Sequence, residues 1–176
     1  MDELNRVSVD AFGGLEKLPV IVVLDNIRSQ HNIGSIFRTS DAFRVSGLYL
    51  CGITATPPNR EINKSALGAT ESVKWQYFSD TVSAIETLKS EGYTIIAIEQ
   101  AVGSTELEKY IPDAAAKIAL VFGNEVTGVS DDVMERVDAC IEIPQFGTKH
   151  SFNVSVTAAI VLYQFYTRLK KHLGPV

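Results

Sequence analysis

Six short runs of β-branched and aliphatic residues recur along the chain, each followed by a stretch too polar or too broken to continue it. They are PVIVVLD (19–25), GLYLCGI (47–53), VKWQYF (73–78), YTIIAIE (93–99), KIALVFG (117–123) and ACIEIP (139–144). Most are apolar on successive rather than alternate residues, which suits strands covered on both faces. Segments of helical period lie between them. Ile33, Ile36, Phe37, Ala42 and Phe43 recur at helical spacing, with Gly47 as the expected stop. Val82, Ile85 and Leu88 form one face of a helix over 80–92, ended by Gly92. SDDVMERV (130–137) reads as a short helix with an acidic first turn. Another short helix is expected near 63–67, inside a long polar loop. Strands alternating with helices specify an α/β protein with a mostly parallel six-stranded sheet and helices on both faces.

The 176 residues fit one domain, expected over 1–176 with a short N-terminal extension at about 1–18. At 45% hydrophobic and 21% charged residues, a core forms without disulfide staples. Cys51 and Cys140 sit in strand-like runs and are expected as buried, reduced thiols. No Cys/His cluster has metal-ligand spacing, so no metal is expected. The N-terminus lacks the apolar segment of a secretory signal, and no run is long enough to span a membrane. The default location is therefore the cytoplasm.

Net charge is −5, but it is unevenly spread. Residues 26–75 carry six basic against three acidic side chains, and 143–176 carry four basic and none acidic, while 76–142 carry four against thirteen. Two accounts fit: chance with a solvated acidic face, or two basic segments meeting to form an anion-binding surface. The final helix, expected from about 151 to 173, contains AAIVLY (158–163), apolar all round. A surface helix shows a polar face. This one is expected to be covered by its own sheet on one side and by a second copy of the chain on the other.

Polar loops follow the first, fifth and sixth strands, at 26–38, 123–128 and 145–153. Ligands of open α/β sheets bind beyond the carboxyl ends of the strands, so the three loops are expected to share a site. The sequence contains no G-x-x-x-x-G-K-[ST], G-x-G-x-x-G or G-x-S-x-G. A P-loop, a dinucleotide-binding loop and a hydrolase elbow are thus unsupported.

HNIGSIFRTSDAF (31–43), LVFGNEVTGVS (120–130) and IEIPQFGTKHSFNVSVTAAIVLYQF (141–165) resemble, in order, the three motifs of the SpoU/TrmH branch of the SPOUT RNA methyltransferases. The resemblance covers roughly 19–170. Gln145 stands where Met is common and Phe152 where Leu is common. The resemblance implies a C-terminal trefoil knot, otherwise essentially absent from proteins. It further implies S-adenosylmethionine (AdoMet) as methyl donor, RNA as substrate, no metal, and a homodimer whose sites use both chains.

By the same resemblance, Asn32, Arg38, Glu125, Ser151 and Asn153 form the catalytic set. Gly123, Ile143, Phe152 and Glu99 contact the cofactor, and Lys149 and His150 face RNA. Apart from the resemblance, RNA contact is expected from the core, through a patch of Arg28, Arg38, Arg60, Lys64 and Lys149. Several have a plainer alternative. Arg38 suits an i,i+3 ion pair with Asp41. Glu125 suits capping of a neighbouring backbone N–H, and Gly123 and Gly128 suit turns. Ser151 or Asn153 suits the first turn of the last helix, and Lys149 and His150 suit simple exposure.

The expected reaction is 2′-O-methylation of RNA ribose. Arg38 positions a phosphate and stabilises the developing alkoxide; a guanidinium with a pKa above about 12 is a poor base. tRNA is the expected substrate, with a D-loop guanosine or the wobble nucleotide as target. KSALGATESVKW (64–75) looks like that of tRNA-acting members, and the chain is short. Ribosomal RNA, a catalytically inert RNA-binding paralogue and an unrelated metabolite-binding enzyme remain the alternatives.

Overall fold

The computed structural model describes residues 9–149 and 151–173. Seven parallel strands form one sheet, β1 (Leu18–Asp25), β2 (Val45–Cys51), β3 (Trp75–Phe78), β4 (Tyr93–Ile98), β5 (Thr105–Glu106), β6 (Lys117–Phe122) and β7 (Ala139–Glu142). Their order across the sheet is β3-β2-β1-β6-β4-β7-β5. All six expected strands are present. The seventh, β5, has only two residues, both polar, and exists because it pairs with β7 at Thr105↔Ile141 and Glu106↔Glu142. No hydrophobic run announces it.

Helices cover both faces. Alternate residues of β1, namely Leu18, Val20, Val22 and Leu24, pack against α2 (Gln30–Ala42), α3 (Arg60–Ala66) and α7 (Val154–Leu169). Ile21 and Val23 face α5 (Thr81–Ser90) and α6 (Asp131–Met134). Two further short helices are α1 (Val9–Gly13) and α4 (Ala69–Ser72). Each fully buried Ile, Leu or Phe contributes about 1.5–3 kcal/mol relative to exposure, so the double-sided burial of β1 is a large share of the driving force. Among the described residues, no helix is long and apolar enough to cross a membrane.

Several boundaries differ from expectation. α2 ends at Ala42, and the chain turns through Arg44, at φ 50°, whose N–H donates to Asp41 O at 3.0 Å. Gly47 is therefore not the helix stop. It lies within β2, where an added Cβ would sit 3.0 Å from Lys74 O of the segment leading into β3. The helix expected near 63–67 begins at Arg60, capped by the Asn59 side chain, and α4 follows it. α7 begins at Val154 because Asn153 Oδ1 accepts from the N–H groups of Ser155 and Val156. Ser151 thus precedes the helix instead of belonging to its first turn. Cys51 is buried as expected, but Cys140 is only half-buried. Both are free thiols.

Candidate active site

The strand ends of β4, β6 and β7 converge on a cavity of about 480 Å³. Its wall includes Glu99, the segment Gly123–Gly128, Glu142, Ile143 and Gln145, and Ser151–Val154 with Thr157. Among the described residues no Lys, Arg or His lines it, whereas Glu99, Glu125 and Glu142 do.

The three polar loops meet in one chain of hydrogen bonds. Asn153 Nδ2 donates to Asn32 Oδ1 at 3.1 Å, and Asn32 Nδ2 donates to Glu125 Oε1 at 3.0 Å. The backbone N–H groups of Arg28 and Ser29 donate to Glu125 Oε2 and Oε1 at 2.9 and 3.1 Å. Asn32 is 7% exposed, so its amide is fixed by these partners and not by water. Asn153 meanwhile caps α7, so one side chain both starts the helix and reaches the network. Partial burial pushes the Glu125 carboxyl up. Donors from the backbone of Arg28 and of Glu125 itself, the Asn32 amide and the Ser29 backbone outweigh it, and the group titrates below the ordinary glutamate range.

The loop after β6 is tightly built. Asn124 and Gly128 exchange both backbone hydrogen bonds, at 3.0 and 2.9 Å. Asn124 Nδ2 donates to Asn26 O at 2.6 Å, and its Oδ1 accepts from Val126 and Thr127 N–H. A Cβ on Gly123 would lie 2.1 Å from Val129 N, and one on Gly128, at φ +72°, would lie 2.4 Å from Glu99 Oε2. Close approach of backbone requires Gly123, and the positive φ requires Gly128.

The SpoU rRNA Methylase family profile matches residues 19–163. The chain belongs to the SpoU rRNA methylase family. A protein named as a TrmH-family tRNA/rRNA methyltransferase from Staphylococcus saprophyticus is 33% identical over 159 residues, which cover 90% of this chain and 62% of that protein. The 23S rRNA (guanosine-2′-O-)-methyltransferase RlmB of Neisseria meningitidis is 33% identical over 153 residues, 87% of this chain and 60% of the enzyme. The chain thus spans about three-fifths of these curated relatives' length. The TrmH/SpoU tRNA modifying enzyme of A. aeolicus superposes with a TM-score of 0.81 at 28% identity, covering 93% of this chain and 81% of that one. AdoMet-bound rRNA methyltransferase from Sinorhizobium meliloti gives 0.79 at 28%, covering 93% and 62%.

For this SpoU-family chain the structure gathers most of the residues singled out from the sequence. Glu99, Gly123, Glu125, Ile143, Ser151, Phe152 and Asn153 all line the cavity, and Asn32 joins it through Glu125 and Asn153. Arg38 does not. It is exposed on α2 and absent from the cavity wall. The ion pair with Asp41 does not form either, since the Asp41 carboxylate accepts from Ser72 Oγ instead. Arg28, Arg60 and Lys149 are exposed, and Lys64 pairs with Glu61 on the same helix at 2.7 Å. His150 lies outside the described residues. Asn124 and Asn26 were missed by sequence reasoning, although Asn26 at φ 57° is among the residue types that tolerate such a turn.

Proposed function

We propose that this chain is an AdoMet-dependent RNA ribose 2′-O-methyltransferase acting on tRNA. The observation that carries the reading is the Asn153–Asn32–Glu125 chain, which joins all three motif loops at the mouth of one cavity. The residues fit the cofactor. A volume of about 480 Å³ suits a ligand of that size. The carboxylates of Glu99, Glu125 and Glu142 suit a sulfonium, and the glycine-walled loop leaves backbone groups where side chains would intrude. Gly123, Ile143, Phe152 and Glu99 would hold AdoMet, which supplies an electrophilic methyl group.

The protein's own work is positioning. Glu125 and Asn153 hold Asn32 and the start of α2 in register with the cavity. Ser151 stands at the mouth. Arg38 grips an RNA phosphate and stabilises the ribose alkoxide as it forms. Holding the two reactants together supplies much of the rate.

Arg38 does not line its own chain's cavity, so on this reading it completes the cavity of a second copy, and the exposed side of α7 supports such a dimer. Val156, Ile160 and Tyr163 are 47%, 37% and 58% exposed along one side of a helix whose other side is core. Phe43 of α2 packs against Tyr163 and Tyr166, so the helix bearing Arg38 borders that apolar side. The knot belongs to the same reading. β7 lies between β4 and β5, which precedes it in sequence, as expected of a chain threaded through its own loop.

Arg28, Arg60, Lys64 and Lys149 form the proposed RNA-facing set, with Lys64 weakened by its Glu61 partner. The likeness to the A. aeolicus tRNA modifying enzyme favours tRNA. The likeness to the N. meningitidis enzyme makes ribosomal RNA the competing substrate. The test is methyl transfer from labelled AdoMet into unmodified total RNA, later separated. Alkali-stable 2′-O-methyl label in tRNA, lost in Arg38→Ala, supports the proposal. Label in rRNA alone corrects the substrate, and AdoMet binding with no label in any RNA contradicts the activity.

A further inference from the structure

The loop after β6 is held from both sides by carboxylates at the ends of the neighbouring strands. β6 lies between β1 and β4. β1 ends at Asp25, which is fully buried, and Glu99 directly follows β4. Val129 N–H donates to Glu99 Oε2 at 3.1 Å, and the next amide, Ser130 N–H, donates to Asp25 Oδ2 at 2.9 Å. Two successive amides are thus gripped by two acids.

Asp25 is the more heavily bonded of the two. Its Oδ2 also accepts from Ser130 Oγ at 3.0 Å, and its Oδ1 accepts from Thr81 Oγ1 at 2.5 Å and Asn26 Nδ2 at 2.8 Å. A carboxylate is acceptor-only, with about four lone-pair sites, which matches four donors. An amide in its place would turn its own N–H groups toward some of those donors and leave them unsatisfied. Asn26 carries the effect further, because its carbonyl accepts from Asn124 Nδ2 at 2.6 Å. One buried side chain therefore ties down both the β1–α2 turn and the loop after β6.

That loop has no slack. Gly123 leaves no room for a Cβ against the backbone of Val129 and Gly128, and Gly128 holds a positive φ. A displaced Ser130 must move the Gly123–Gly128 wall of the cavity.

We propose that Asp25 is a positioning residue for the cofactor site, fixing through Ser130 and Asn26 the wall against which AdoMet binds. Asp25 does not itself line the cavity. The proposal rests on the reading of that cavity as the AdoMet site.

The experiment measures labelled-AdoMet binding by equilibrium dialysis, with KM for AdoMet and for RNA taken separately. It uses the full chain and its Asp25→Asn, Thr81→Val and Cys51→Ala variants. Cys51 is a buried neighbour whose thiol burial, aided by the Asp25 and Asp80 charges, pushes up to about 12. Its replacement removes packing and a thiol beside Thr81 while leaving Asp25 and all four of its donors in the chain. The expected result is a rise of at least about tenfold in the AdoMet Kd and KM of Asp25→Asn, because small misplacement of a binding wall is costly, with KM for RNA little changed. Thr81→Val shifts AdoMet affinity the same way by less, and Cys51→Ala lowers the melting temperature with affinity intact.

Wild-type AdoMet affinity in a folded Asp25→Asn chain overturns the clamp, as does an equal affinity loss in Cys51→Ala. If Asp25→Asn does not fold, Thr81→Val decides by the same criterion. Failure of the unaltered chain to bind AdoMet overturns the functional reading and the clamp together, which distinguishes the two failures.

Discussion

The cavity end of the sheet and the outer side of α2 and α7 are built on opposite plans. At the cavity, Asn32, Asn124, Glu125, Glu99 and Asn153 all have specified partners, and glycines admit no added atom. On the outer side, Arg38 is exposed, and Val156, Ile160 and Tyr163 present apolar surface with nothing over it. The difference teaches that folding one chain fixes the partners of the cavity residues, whereas the outer side keeps a cation and an apolar stripe exposed; on the proposed reading that side is completed by a second copy.

Charging the α7 side should separate the two regions most sharply. Ile160→Asp with Tyr163→Asp is expected to sediment as a monomer at micromolar concentration and to lose methyl transfer, while its far-UV CD stays native. Retained activity in a monomer would break the comparison. A smaller effect is expected from Asn153→Ala, which touches both regions. Loss of the α7 cap lowers stability by about 1 kcal/mol by denaturant unfolding. Loss of the Asn32 contact should lower kcat more than it alters KM for RNA. A kcat change no larger than that of a cap removed elsewhere, such as Asp80→Ala on α5, would reduce Asn153 to a capping role.

The smallest effect is pH-dependent. The folded-state pKa of Glu125 lies below its unfolded value, so its hydrogen bonds stabilise the protein fully above the unfolded carboxyl range. That contribution is lost as pH falls through the lowered folded value. The stability gap between the wild type and Glu125→Gln should be present at neutral pH and close only as pH falls below the ordinary carboxyl range. A gap that persists unchanged into acid would show that the carboxylate charge is not what holds the β1–α2 turn.

Much of this was legible in the sequence, for physical reasons. β1, β4 and β6 are apolar on successive residues because both faces are covered, and that pattern survives in one dimension. The three site loops were legible because polar side chains beyond buried strand ends need a purpose. β5 was invisible because its two residues are held by β7 alone. The turn at Arg44 was invisible because nothing in an arginine announces positive φ. Asp25 looked like the polar end of a strand, and its four donors come from residues as distant as Thr81 and Ser130. Arg38 lies in the same motif as Asn32 yet on an exposed position of α2, away from the cavity wall, and motif spacing does not encode that separation.

The most direct test of the central claim is subunit complementation. Arg38→Ala keeps an intact pocket without the arginine. Gly123→Ala keeps the arginine but places a Cβ 2.1 Å from Val129 N, spoiling the pocket. Each alone is expected to be inactive. Mixed and allowed to exchange, half of the dimers would be mixed and each would hold one complete site, restoring about one quarter of wild-type methyl transfer. No recovery, with subunit exchange verified by mass, would contradict a site built from two chains.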